Sequence, residues 1–342
     1  MPSKIEVTAR HSTFTQSNFS SLVSEANVFD VVTSSHLQMV SRADIHVHSK
    51  YSGLARLGFL RFPESVNEPR DIVKRANAAG LNLVCVTDHN TIHGGLKAKE
   101  SEKDFPGTEV IVGEEVSTRD GEILGLFLQE EVPKGLNAIE TIERIRAQDG
   151  IVISPHPFSK HVPALGLKVD MLNIDGLEVL NAGHVDGYAN NRAAQHAASG
   201  KWALMGGSDS HSLNTIGCAY TEFEGNGAED FRHQILAKRT WAGGKEMTMD
   251  QVVAWSMGVV FASDVLIIRS MLGNILEVDT LDPTLTKVQE IGTSKKIVAL
   301  LGSLIYFTPP IPFLVGIVGE HMVKRLNSVP VHEINGNSPL LN

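Results

Sequence analysis

The sequence predicts an α/β fold: βα units around a parallel sheet, followed by an apolar, mainly helical C-terminal appendage. Three observations carry this. From Ala43 to about Gly244, short apolar β-type runs alternate with helical patterns. Histidines and carboxylates recur at the C-terminal ends of those runs, where a closed parallel barrel would gather them at one mouth. After residue 244 the pattern gives way to long apolar helical segments. The 342 residues exceed a typical domain of about 100 to 200. Three regions are therefore predicted: an N-terminal extension over 1–42, a catalytic-type domain over 43–244 and a helical region over 245–342.

Residues 1–42 are rich in Ser and Thr without a sustained period, which reads as a poorly ordered extension or one short strand. The β-type runs follow as ADIHVH (43–48), LNLVCVTDH (81–89), TEVIVGEE (108–115), EILGLFL (122–128), IVISPH (151–156), GLEVLN (176–181) and ALMGGSDSH (203–211). A helix is predicted from about Pro69 to Ala79, with Pro in its first turn, Ile72, Val73, Ala76 and Ala79 on one face, and Gly80 as its stop. Another runs over Asn137–Gln148, where Asn137 stands three residues before Glu140 in a capping-box-like start and Gly150 follows the end.

Gln251–Leu276 is a long apolar helical pattern broken by Asp264 and Arg269, and Asp279–Lys296 is polar. Ile297–Gly319 then carries no charged residue, a length that suits a membrane span of about 20 residues. Pro309, Pro310 and Pro312 break it into two short halves. With Lys295 and Lys296 before it and Lys324 and Arg325 after it, three readings stand: a single span, an interfacial hairpin, or a hairpin buried against protein, which includes self-association.

A net charge of -9, from 30 basic and 39 acidic residues, argues against extended nucleic-acid binding, which neutralises many phosphates. Cys85 and Cys218 sit in apolar runs and read as free thiols, consistent with a cytoplasmic protein. The first 20 residues lack a continuous apolar stretch, so no secretory signal is read there.

In DIHVH, His46 and His48 are two apart on a strand, so both imidazoles can reach one ion. Asp88 and His89 of TDHN, Glu114 and Glu115 of GEEVST, His156 of SPHP, and Asp209 and His211 of GSDSH each end a β-type run. Four histidines or more with several carboxylates exceed one ion's needs, and the mixture suits Zn, Mn or Fe(II). Two or three metals are expected. Such ions acidify water and stabilise charge in displacement at a phosphate ester, while a histidine or carboxylate at the mouth protonates the leaving alkoxide.

Together and in this order, DIHVH, TDHN, GEEVST, SPHP and GSDSH resemble the motifs of the PHP (polymerase and histidinol phosphatase) family over roughly Ala43–Gly244. The resemblance implies a distorted (β/α)7 barrel with a di- or trinuclear centre at its strand ends. It implies His46, His48, His89, Glu115, His156, Asp209 and His211 as metal ligands, Asp209 and His211 also as catalytic residues, and Asp44 and Asp88 as carboxylates orienting ligand histidines through their other ring nitrogen. Two positions depart from the pattern. Gly53 stands where many relatives have Asp or His, and Glu122 stands where they often have His, which makes Glu122 a further candidate ligand.

The expected activity is hydrolysis of a phosphate monoester on a nucleotide or other small molecule. A 5′ to 3′ exonuclease on short RNA or DNA is the nearest alternative, although no basic or aromatic stripe supports it. An amidohydrolase-like enzyme lacks a clearly placed bridging lysine, and a catalytically idle, membrane-tethered metal-binding module is the remaining alternative. His93, His161, Asn181, His184, Arg192, Lys50, Arg56 and Arg61 lie near the motifs, where substrate contact and a plain loop or surface role compete. His196 reads as structural.

Overall fold

The computed structural model describes residues 40–57, 60–185, 187–273 and 279–328. The extension expected over 1–42 lies outside these residues except for its last three, which open the first strand. In chain order the strands are β1 (Val40–Val47), β2 (Leu54–Leu57), β3 (Leu60–Pro63), β4 (Leu83–Val86), β5 (Glu109–Ser117), β6 (Glu122–Leu126), β7 (Ile151–Ser154), β8 (Gly176–Asn181), β9 (Ala203–Gly207), β10 (Ala219–Glu224) and β11 (Thr240–Gly244). The helices are α1 (Pro69–Ala78), α2 (His93–Ser101), α3 (Ala138–Arg146), α4 (Tyr188–Ala197), α5 (Ala228–Leu236), α6 (Met249–Met271), α7 (Pro283–Glu290), α8 (Thr293–Tyr306) and α9 (Ile311–Ser328).

Seven strands follow one another in the order β1-β4-β5-β6-β7-β8-β9, and Ser210, just past β9, bridges Val47 of β1. His48 N donates to Ser210 O and Ser210 N to His46 O, so the two ends of the sheet meet in a nearly closed barrel. The barrel is not wholly parallel. β6 runs antiparallel to both β5 and β7, because only residues 118–121 separate it from β5, and a parallel crossover needs about a dozen residues. Gly121 turns that hairpin at φ +140°, where a Cβ would lie 2.5 Å from the Ala164 carbonyl carbon. β10 and β11 extend the sheet antiparallel from the first half of β1.

Ile45, Leu83, Cys85, Ile111, Leu124, Ile153 and Met205, from six barrel strands, meet in one buried cluster with Phe223 and Phe231. Ile72, Val73 and Ala76 of α1 pack on Val84 and Val86 of β4, and Ile142 and Ile145 of α3 on Val152 of β7. Both helices start as expected: Pro69 fills the first position of α1, and the Asn137–Glu140 capping box closes on α3. Cys85 is buried, whereas Cys218 is half-buried beside α6, where Gln251 Nε2 donates to its Sγ.

In the appendage, α8 and α9 meet at 86° across a break that holds Pro309 and Pro310. Pro312 sits in the first turn of α9, where its missing N–H costs nothing. The helices are longer than the two halves of the charge-free run, because polar residues at either end continue them. α8 runs back along α6: Lys296 Nζ donates to Ser270 Oγ (2.7 Å), Ser303 Oγ to Asp264 Oδ1 (2.8 Å), and Tyr306 and Ser256 share a hydroxyl contact at 2.7 Å. The outer face stays bare, with Val298 68% and Leu304 70% exposed, so the described residues leave that face of 297–319 uncovered. α6 is long and apolar enough, by length and composition, to cross a membrane.

Phe223→Ala should cost about 3–5 kcal/mol in chemical denaturation, since the ring fills the junction of β10, α5 and the barrel. Burial pushes the Cys85 thiol well up, so a thiol reagent should leave it unmodified until the protein unfolds.

Candidate metal centre

Strand geometry sets the first contacts. His46 and His48 leave β1 on one side, their ring centroids 5.0 Å apart, and both Nε2 atoms face Glu115 Oε2, at 3.1 and 3.3 Å. Glu115 reaches them from β5, alongside His89, whose Nδ1 lies 3.2 Å from the same oxygen. The other carboxylate oxygen, Oε1, meets His156 Nε2 at 3.1 Å. Asp209, past β9, brings Oδ1 to 3.3 Å from His48 Nε2 and 3.6 Å from His46 Nε2. The His211 ring stacks on His48 at 4.3 Å, and His48 on His89 at 4.8 Å.

All seven residues expected as ligands thus converge at one end of the barrel. Their donor atoms form overlapping groups within 4.8 Å: His48, His89 and His211; His46, His156 and Asp209; His46, His48 and Glu115; His89, Glu115 and Glu122. Glu122 therefore joins the cluster, with Oε1 3.7 Å from His89 Nδ1. Gly53, by contrast, caps a short 3-10 turn at φ +110° and adds no donor. His48 Nε2 and His156 Nδ1 are buried without hydrogen-bond partners, and nitrogen and oxygen donors at this density suit divalent metal ions.

Asp44 and Asp88 do not orient ring nitrogens. Asp44 Oδ1 accepts Ser208 N (2.9 Å) and its Oδ2 accepts Gly217 N (2.8 Å), tying β1 to the loops after β9. Asp88 Oδ1 and Oδ2 accept the backbone N and the hydroxyl of Ser49, both at 2.6 Å. Free amides and a hydroxyl close to each carboxylate claim it before any imidazole can. The orienting work falls elsewhere: Glu178 Oε1 lies 3.2 Å from His46 Nδ1, and Ser52 Oγ lies 2.7 Å from His48 Nδ1.

Glu178 is the main residue that the motifs miss. Fully buried on β8, it also accepts His156 N (2.8 Å) and Asn181 Nδ2 (2.9 Å), and Asn181 in turn donates to Asp209 Oδ2 (3.1 Å). A carboxylate inside the apolar run GLEVLN was the available signal. Glu64, after β3, was missed as well; its Oε2 lies 3.7 Å from His89 Nε2. His156 at φ +27° and Asp209 at φ +50° sit in a region costing about 1–3 kcal/mol each, a strain that these side-chain bonds hold in place.

The surrounding residues divide clearly. Asn181 is tied into the site, and His184 stacks between His156 and His161, at 5.3 and 4.6 Å. His93 meets Tyr51 edge-on, Lys50 pairs with Glu68 (3.0 Å) and Asp282 (3.6 Å), and Arg192 lies over Phe158. His196 packs on Trp202 and bonds Asp170. The side chains of Arg56 and Arg61 lie outside the described residues. Glu114, pointing away from Glu115, accepts Val132 N, and burial raises its carboxyl to about 7.

The electrostatics are those of a site that seeks cations. Burial opposes charge on every histidine here. Even so, the carboxylates of Asp209, Glu115 and Glu178 hold His46 well above its ordinary value. Asp209 and Glu115 likewise lift His48 to about 10, and Glu115 lifts His156 to about 9. Farther out, burial and the neighbouring positive charge of His48 lower His89 and His211 to about 4. Burial and the Glu115 charge push Glu122 up to about 8.

A family model described as PHP-associated matches residues 187–240. The uncharacterized protein MJ1587 of Methanocaldococcus jannaschii is 52% identical over 152 residues, covering 44% of this chain and 88% of that protein. The chain belongs to the PHP family. A second relative, the uncharacterized protein MJ1588 of the same organism, is 34% identical over 35% of this chain and 99% of its own length. A 5′-3′ exoribonuclease of Haemophilus influenzae is 30% identical over 34% of this chain and 39% of its length. Among solved structures, PsfC from Pseudomonas syringae matches with a TM-score of 0.48 and 18% identity, over 64% of this chain and 97% of its own.

In this PHP centre, Glu178→Gln should lower metal affinity about 10–100-fold, read as metal content after dialysis, because its NH2 can accept from neither His46 Nδ1 nor the His156 amide, so one of the two loses its acceptor. Metal uptake near pH 7 should release about two to four protons, measured by pH-stat. His46, His48, His156 and Glu122 hold protons there without metal and must give them up as ligands, so affinity should fall as pH drops and rise toward about pH 9–10.

Proposed function

We propose that this protein is a metal-dependent hydrolase of phosphate monoesters carried on small molecules. The observation that supports it most is the double use of Glu115: one carboxylate oxygen faces His46, His48 and His89, the other His156. A carboxylate presented to two donor groups suits two adjacent divalent ions.

His46, His156 and Asp209 would hold one ion, His89, Glu115 and Glu122 another, with Glu115 shared; His48 and His211 add donors for a third. Bound there, such ions supply Lewis acidity toward phosphate oxygens and water. The chain's own residues do the rest. Glu178 and Ser52 fix the tautomers of His46 and His48 by occupying each Nδ1. His211 is partly exposed at the mouth, with its ring against Trp255, and because burial and the His48 charge lower its proton affinity, it offers Nε2 as a free lone pair toward an ion or a bound substrate. Asp209 holds that ring in reach, since its carbonyl oxygen lies 3.0 Å from His211 Nδ1.

A second reading, cleavage at the 5′ end of short RNA or DNA, is supported by the likeness to the Haemophilus exoribonuclease over part of its length. The net charge of -9 favours the small substrate.

Purified protein supplied with Mn2+ should release phosphate from an aryl phosphate, and chelation should abolish the release. His46→Ala with Asp209→Ala should lower the rate by at least about a thousandfold. Full activity in that double variant, or none in the wild type with any divalent ion, would overturn the reading. Parallel assays on 5′-phosphorylated dinucleotides compare the two substrate classes.

A further inference from the structure

We propose that the elbow formed by α8 and α9 docks the protein on a lipid bilayer bearing negative charge, so that the metal centre works on phosphate esters held at that surface. This rests on the phosphoesterase reading above.

The elbow is apolar where it meets solvent. Val298, Leu301, Leu304 and Ile305 of α8 and Leu314, Ile317 and Val318 of α9 are each more than half exposed. No charge lies between Ile297 and Gly319; exposed Lys295 flanks one end, and Lys324, ion-paired with Glu320, and exposed Arg325 flank the other, which leaves each end net positive. A long apolar face with basic flanks complements acyl chains below and anionic headgroups above.

The elbow also adjoins the mouth. Tyr306 contacts Ser256, and Gly316 packs so closely on Met249 and Val253 that an added Cβ would lie 2.9 Å from the Met249 sulfur. In the same stretch of α6, Trp255 faces the other way, 5.8 Å from the His211 ring, with its indole N–H on Glu64 O. Elbow and metal centre therefore lie on two sides of one helix, whose diameter is about 10–12 Å.

The geometry also argues against α6 as a full span. Trp255 stands at the mouth, and Tyr51 OH donates to Asp279 Oδ2 (2.6 Å) at the same rim. Were Met271 on the far side of about 30 Å of hydrocarbon, the eight-residue step to Asp279 at the rim, which reaches at most about 26–29 Å, would be too short to return across it. A bilayer is therefore met on one face.

The test uses the full chain with Mn2+ and vesicles of phosphatidylcholine mixed with phosphatidic acid, itself a phosphate monoester. Wild-type protein should sediment with the vesicles and release phosphate from them. Leu304→Glu with Leu314→Glu should lose both by about tenfold or more, yet keep its rate on soluble aryl phosphate. Wild type that hydrolyses aryl phosphate but stays off the vesicles overturns the docking and leaves the phosphoesterase reading intact. If such protein is a dimer that the double variant dissociates, a second copy covers the elbow instead. Wild type that sediments without hydrolysing either ester upholds the docking and overturns the enzyme reading.

Discussion

Burying the Glu115 carboxylate among four imidazoles is the constraint on which the rest of this structure depends. An ionised carboxylate taken out of water costs several kcal/mol unless positive charge meets it. Here His46 and His48 from β1 and His156 from the turn after β7 bring that charge, and His89, from the turn after β4, lies beside them as a neutral ring. Each partner that gains charge in that position is itself buried, so the cost passes to the next group. The chain of compensation ends only where ions of higher charge replace protons, and that is the chemical sense in which the centre is built for metal.

The scaffold gives up regularity to hold that arrangement. β6 turns back after four residues and thereby brings Glu122 beside Glu115, which a helical crossover could not do. At the end of β9, Gly207 leaves room for the site, since a Cβ there would lie 2.5 Å from Glu178 Oε1 and 2.7 Å from His46 Cβ. Asp44 and Asp88 stabilise the turns rather than the rings. By accepting Ser208 and Gly217 amides, Asp44 fixes how the loop carrying Asp209 crosses β1, and Asp88 does the same for the turn after His48 through Ser49.

What the sequence made legible follows from how local each signal is. Strand alternation put His46 and His48 on one side, and the Asn137–Glu140 spacing announced the start of α3, because both depend on neighbours a few residues away. The direction of β6 was less legible: its apolar run looks the same either way, and only the short link to β5 decides it. Glu178 escaped because it lies outside any motif and its importance comes from contacts with residues 132, 22 and 3 positions away. The appendage was readable as apolar helices, but not its path, since Tyr306 meeting Ser256 depends on packing between segments 50 residues apart.

The union of barrel and appendage bears on substrate access. Trp255 closes one side of the mouth, and the Tyr51–Asp279 and Lys50–Asp282 contacts fasten the segment before α7 to its rim. These contacts join the appendage to the residues that flank the metal centre rather than to the far end of the barrel. A helical region attached only as a spacer would have no reason to place an indole 5.8 Å from His211. Anything that bound the outer face of α8 and α9 would therefore press on the same turn of α6 that borders the His/Glu/Asp centre, so that occupancy of the apolar elbow and access to that centre would be coupled through one helix.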